Sequence, residues 1–268
     1  MPVPTTVPTT VPTTWDPATY LRFAEERSRP FAELLARVDV DARTVVDLGC
    51  GPGHLTEQIR ARWPRAHILG LDTSTQMVAT ARKEHALADA DYEVRDLREW
   101  SPDEPVDLVL SNATLQWVPG HLELLPGLAD AVAVGGSIAF SVPGNFAEPS
   151  HVLLRELADE QPYVRWTWDI ERPSAYDAAS YLDVLGRPGW IVDAWETTYL
   201  HVLSGSDPVF GWLSGTGARP VLQALPARER QRFETAFKSR LRAAYPSRDY
   251  GTVLPFRRVF VVARRQEG

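Results

Sequence analysis

An aspartate and three glycines are the first residues in this chain whose spacing implies chemistry. Asp47, Gly49, Gly51 and Gly53 read D-x-G-x-G-x-G. Glycines spaced this way let the backbone turn sharply and let a ligand press against the main chain. His54, Leu55 and Thr56 follow, so the later glycine of G-x-G-x-x-G is missing. Asp47 adds a carboxylate two residues before the first glycine. That charge repels a pyrophosphate and suits a cofactor with a cationic amino-acid head. A second carboxylate, Asp72, lies nineteen residues beyond Gly53, where a ribose-binding acid belongs in a nucleotide-binding βαβ unit. Its competing role is to cap a helix that starts near Thr73 and Ser74.

These residues require a strand, a tight turn and a helix to hold them. Residues 44–48 are a short β-branched, apolar run, and a helical pattern begins at Leu55 and Ile59. Further strands are expected at 67–72, 92–94, 106–110 and 137–142. Helices are expected over 75–87 and 120–133, the second stopping at Gly135 and Gly136. Alternation of this kind predicts an α/β fold with a mostly parallel sheet. The polar segment 111–118 follows a central strand, which is the ligand-binding edge of such a sheet. Residues 191–203 and 259–263 supply two more strands, with helices over 151–158, 174–185 and 206–244. Before the first strand, Pro30 is expected to separate a helix carrying Tyr20 from one lined by Phe31, Leu34, Leu35 and Val38. Residues 3–14 repeat Val-Pro-Thr-Thr three times and are expected to form an extended tail.

Composition removes several function classes. A net charge of −7 and an isoelectric point near 5.4 argue against generic nucleic-acid binding. The single cysteine, Cys50, excludes an internal disulfide framework and a cysteine-rich metal site. It lies inside the glycine turn, where packing is its expected role. No apolar run approaches a membrane span and no basic-then-apolar leader opens the chain, so a cytoplasmic location without membrane contact is expected. Oligomeric state is left open.

The D-x-G-x-G-x-G turn, with acids after the second and third strands, resembles the Rossmann-like class of S-adenosylmethionine-dependent methyltransferases. The resemblance implies a mostly parallel seven-stranded sheet with an antiparallel edge strand. It also implies one domain over 15–268, with helical lid insertions at about 146–190 and 204–250. Asp47, Gly49, Gly51, Gly53 and Asp72 would hold S-adenosylmethionine. In such enzymes an acid at the position of Asp96 accepts from the adenine amino group, and the backbone of the next residue, Leu97, reads the ring. Asn112 would face the methyl donor, with Gln116 and Trp117 towards the acceptor; Trp117 reads equally as core. An aromatic at Tyr20 would close over the ligands. No metal is implied.

Longer segments sharpen the resemblance. Residues 15–20 (WDPATY), 115–121 (LQWVPGH), 142–146 (VPGNF), 194–199 (AWETTY) and 254–258 (LPFRR) are similar to the trans-aconitate 2-methyltransferase family. The implied reaction methylates one carboxylate of trans-aconitate, giving a monomethyl ester and S-adenosylhomocysteine. A carboxylate with a pKa near ~4 is already ionised at pH 7, so no general base is needed. Alignment and exclusion of water are then the main work, and no catalytic dyad is assigned. A tricarboxylate needs placed cations, and arginine pairs with carboxylates as a fork. Arg219, Arg257 and Arg258 are the candidates. On a strand, Arg257 and Arg258 point to opposite faces, so at most one reaches a common pocket. Tyr199 and His151 could donate further hydrogen bonds, whereas His121 reads as structural. The alternatives are methyl transfer to another small acid, a phenol or an amine, a nicotinamide-dependent dehydrogenase, and a cofactor-binding protein without turnover.

Overall fold

The structure is a computed structural model that describes residues 24–267. The Val-Pro-Thr-Thr repeat and Tyr20 lie outside the described residues. The first described helix, α1 (Ala24–Arg37), runs straight across Pro30 rather than breaking there. Proline removes one backbone donor and crowds the preceding turn. Phe31, Leu34, Leu35 and Val38 are at most 5% exposed, and their burial outweighs that local cost.

The chain then alternates as its pattern predicts: β1 (Thr44–Leu48), α2 (Thr56–Arg62), β2 (His67–Asp72), α3 (Thr75–Glu84), β3 (Ala90–Val94), β4 (Val106–Asn112), α4 (His121–Asp130) and β5 (Val132–Pro143). Strand β5 begins earlier than expected. Gly135 and Gly136 lie inside it, at a register shift against β4, instead of ending the helix before it. There follow α5 (Pro149–Asp159), α6 (Val164–Thr167), α7 (Ala178–Leu185), β6 (Trp190–Leu203), α8 (Pro208–Ser214), α9 (Arg219–Ala224), α10 (Ala227–Ala244) and β7 (Thr252–Arg265). The last strand is far longer than residues 259–263, because polar residues such as Arg257 and Arg258 still pair along the sheet.

Seven strands form one sheet in the order β3-β2-β1-β4-β5-β7-β6. β1 to β5 pair in parallel, and β7 runs antiparallel to β5. Alternate residues of each strand feed two cores. One face carries Val46, Leu48, Val109, Phe140, Val259 and Val261; the other carries Val45, Leu108, Leu110, Ala139, Phe260 and Val262 beside Phe31 and Leu34 of α1.

The described residues divide into two compact units. The sheet unit reaches to Ala147 and adds Pro173–Val202 and Val253 onward. The helical unit comprises Glu148–Arg172 and Leu203–Thr252. The stretch expected as one insertion over 146–190 is thus divided, with α7 on the sheet side. Within the helical unit, Tyr163 meets Phe233 edge to face at 5.0 Å, and Phe237 packs beside Phe233 at 5.9 Å. Among the described residues no helix is long and apolar enough to cross a membrane.

Candidate functional site

The glycine turn leaves β1 with Gly49, Gly51 and Gly53 all at positive φ, between 57° and 82°. Only glycine takes this conformation without strain. At Gly49 space is equally decisive, since an added Cβ would lie 2.0 Å from Oγ1 of Thr114. The turn is fixed by its neighbour strand: Gly49 and Cys50 donate N–H to the carbonyl of Leu71 at 2.7 and 2.9 Å. Cys50 packs with Val78, Ala81 and Tyr92, and burial pushes its thiol far above the usual range, as packing rather than chemistry requires.

Asp72 is not the N-cap of α3. The residue that caps α3 is Ser74, whose Oγ accepts from the N–H of Met77. Asp72 instead bridges two turns, accepting from Gly51 N–H at 3.0 Å and from Ser74 N–H at 2.8 Å. Burial raises its pKa even though both donors oppose the rise. Asp47 is only 4% exposed, and burial, with the Asp72 charge beside it, pushes its carboxyl up to about 7. A buried carboxylate beside a half-buried one is an arrangement that a cationic ligand group would relieve.

Asp96 follows β3 and caps the 3-10 turn Leu97–Glu99. It accepts from the Arg98 backbone N–H at 2.9 Å, while the Arg98 guanidinium forks onto both carboxylate oxygens, closest at 2.6 Å. That pairing holds the Asp96 carboxyl below the usual carboxylate range. The Leu97 side chain is buried in the core. At the end of β4, Asn112 is 9% exposed, and its Oδ1 accepts from the hydroxyl of Ser141 at 2.6 Å. Trp117 is half-buried.

Strand parity groups these residues. Asp47 shares a face with Val45, Asn112 with Leu110, Ser141 with Ala139, and Arg258 with Phe260. Register places Ser141 opposite both Asn112 and Phe260, and Pro143 opposite Arg258. Asp47, Asn112, Ser141 and Arg258 therefore line one face at the C-terminal edge of the parallel strands. Arg257 is on the other face. Its Nε donates to the carbonyl of Gly144 at 2.8 Å and its Nη1 pairs with Glu196 at 2.9 Å, so it is held by the protein itself.

Arg258 is 4% exposed. Its guanidinium lies 5.5 Å from the Phe256 ring centre, and its charge acts on Tyr199. The Tyr199 hydroxyl, expected to serve a substrate, donates instead to Glu33 Oε2 at 2.6 Å, with Arg29 stacked 5.0 Å from its ring centre. Burial and Glu33 push that phenol up. His201 stacks on Tyr199 and is 9% exposed. Sequence reasoning passed over Glu33, His201 and Ser141. Alternation along β6 could have paired His201 with Tyr199, but nothing local marks Glu33 or Ser141.

Two of the sequence candidates fall in the helical unit. His151 on α5 is 7% exposed, and burial, with the Arg155 charge, pushes its imidazole down to about 4. Its Nδ1 lies 3.2 Å from Ser150 Oγ, and an added Cβ at Gly217 would fall 2.9 Å from its Nε2. Arg219 opens α9 two residues later in the chain and is 8% exposed. The unit thus buries a neutral histidine and an arginine near one another.

Comparison with known proteins identifies relatives of the whole chain. A family described as a methyltransferase domain matches residues 45–136. A trans-aconitate 2-methyltransferase of Streptomyces avermitilis is 49% identical over 263 residues, covering 94% of this chain and 97% of that protein. One from Escherichia coli O157:H7 is 44% identical over 255 residues, covering 94% and 99%. Among solved structures, a putative methyltransferase of Bacillus halodurans C-125 shares the fold, with a TM-score of 0.57 at 15% identity over 89% of this chain and 100% of the other.

Proposed function

This chain belongs to the trans-aconitate 2-methyltransferase family of S-adenosylmethionine-dependent methyltransferases, and on that premise we propose that it methylates a carboxylate of trans-aconitate. The products are a monomethyl ester and S-adenosylhomocysteine. The supporting observation is the single face at the sheet edge that carries buried Asp47 at one end and buried Arg258 at the other. A carboxylate there suits the cationic cofactor, and an arginine suits an anionic acceptor.

Bound S-adenosylmethionine supplies an electrophilic methyl group. The acceptor oxygen forms the new O–CH3 bond as the S–CH3 bond breaks, and its electron pair passes to sulfur. No proton moves, so the protein's part is placement. Asp47 would hold the ammonium group, and Asp72 would accept from the ribose hydroxyls with its remaining lone pairs. The main chain of Gly49, Gly51 and Gly53 permits close approach. Asp96 accepts from the adenine amino group, the Leu97 backbone reads the ring, and Asn112 faces the methyl donor. Trp117 shapes the acceptor side. Arg258, on the face that carries Asp47 and Asn112, binds an acceptor carboxylate; Arg257 lies on the other face with Glu196, and the Tyr199 hydroxyl donates to Glu33. Arg219 and His151 are separate candidates from the helical unit.

The test is methyl transfer from labelled S-adenosylmethionine to trans-aconitate beside cis-aconitate, citrate, isocitrate and one phenol. Labelled ester from trans-aconitate well above the others is expected. Transfer to another acid in preference would keep the chemistry and change the substrate. Transfer to the phenol alone would sink the carboxylate reading.

A further inference from the structure

The turn after β4 is held in a conformation its residue does not favour. Ala113 has a φ of 56°, in the left-handed region that costs a non-glycine residue roughly 1–2 kcal/mol. Such residues persist where their surroundings over-determine them, and they gather at functional sites. Here the surroundings can be named. Ala113 N–H donates to Ser141 O at 2.8 Å, and its carbonyl accepts from Gln116 Nε2 at 2.6 Å. Thr114 fills the space that a side chain at Gly49 would need, so the strained turn rests on the cofactor loop. Gln116 in turn accepts, through its own carbonyl, from Ser174 N–H at 2.9 Å.

The far end of the turn is held by a buried polar chain. His121 is 1% exposed and Tyr181 is fully buried. The carbonyl of Val118 can only accept, so His121 Nδ1, 3.2 Å away, carries the proton. Nε2 is then the acceptor for the Tyr181 hydroxyl at 2.7 Å, and Tyr181 Oη accepts from Tyr176 N–H at 3.3 Å. Burial lowers the His121 pKa, which keeps this neutral tautomer. The rings of His121 and Tyr181 stack at 5.8 Å, with Tyr176 edge-on to His121 at 5.4 Å. An apolar pair of equal size would fill the same volume without three side-chain polar groups to satisfy. What the polar chain adds is direction: it fixes where the Val118 carbonyl, and hence the turn, must lie.

We propose that His121 and Tyr181 are positioning residues for methyl transfer. Their hydrogen bond locks the 113–118 turn to the 174–181 segment and so holds Asn112, at the start of that turn, in place beside the glycine loop. This rests on the reading that Asn112 faces the methyl donor.

Tyr181→Phe deletes one hydroxyl and keeps the ring. It is expected to lower kcat about tenfold, with KM for S-adenosylmethionine and for trans-aconitate within twofold and Tm within a few degrees. His121→Asn is expected to match it, and the double variant to be no worse than the more impaired single one, as for two groups in one chain. In the S-adenosylhomocysteine complex, which needs no acceptor, hydrogen exchange over residues 112–119 is expected to rise in Tyr181→Phe. Unchanged kcat with only a lower Tm, or unchanged exchange over 112–119, would overturn the proposal and leave a plain core pair. Asn112→Ala separates the underlying reading: if it disturbs neither kcat nor S-adenosylhomocysteine affinity, the assignment of Asn112 is what fails.

Discussion

The two ends of the sheet edge are built from opposite charges by opposite means. At the β1–β2–β3 end, three acids, Asp47, Asp72 and Asp96, lie at or within two residues of the ends of their strands, and Asp72 and Asp96 are gripped by backbone N–H groups and local neighbours. At the β7–β6 end, Arg258, Tyr199 and His201 are brought together with Glu33 of α1 across a sequence separation of more than 160 residues. The acidic end is a property of loops attached to a nucleotide-binding unit, and many ligands with a cationic head could use it. The cationic end depends on sheet order and strand parity, and this is where acceptor choice would reside.

The strongest break in this contrast should come from Arg258. Arg258→Met is expected to raise KM for the tricarboxylate roughly 50-fold, the loss of a charge-assisted pair of about 1.5–3 kcal/mol, while S-adenosylhomocysteine affinity stays within twofold. Arg258→Lys should recover only part, because the fork is gone. If Met at 258 weakened both ligands equally, the division of the edge would be wrong. At the acidic end, Asp72→Ala is expected to weaken cofactor binding about 20-fold by calorimetry, since it removes both a ribose acceptor and the tie between two turns. Unchanged affinity would reduce Asp72 to a turn residue.

Asp47 sharpens the comparison through pH. Its carboxyl sits at about 7 in the folded chain against an ordinary 3.8. Between pH 4 and 7 the native state therefore keeps a proton that the unfolded state has lost. The Asp47 contribution to stability falls as pH rises through that window and levels off above 7. A cationic cofactor favours the ionised form, so its affinity is expected to rise about tenfold from pH 6 to pH 8. Asp47→Asn should flatten that profile, and a wild-type profile flat over the same range would contradict the assignment. Arg219→Ala is expected to raise KM for tricarboxylates about fivefold and that for S-adenosylmethionine hardly at all; equal changes would mark it as a structural arginine of the helical unit. The smallest effect should be that of Arg257→Met, with both KM values within twofold and a Tm lower by a few degrees, because its partners are Gly144 and Glu196.

Legibility followed the same division. Strand β2 was read to the residue, and Asp72 was placed correctly at its end, because apolar periodicity and turn chemistry are local. Pro30 misled, since a helix break is a local expectation and the burial of Phe31 and Leu34 is not. The reach of β7 was underestimated for a related reason: pairing with β5, not apolar content, extends it over Arg258 at one end and Arg264 at the other. Of the adjacent arginines, the sequence could say that they diverge but not which way.

The sequence by itself determined the class of the fold, the glycine turn and the acids at or near the strand ends, because each needs only a residue type at a fixed short distance from a strand end. Tertiary structure alone decided that Arg258 rather than Arg257 shares a face with Asp47 and Asn112. It also decided that the Tyr199 hydroxyl goes to Glu33, and that His121 and Tyr181 meet in the core. These are pairings between segments far apart in the chain, set by strand order, register and packing, and no local spacing encodes them.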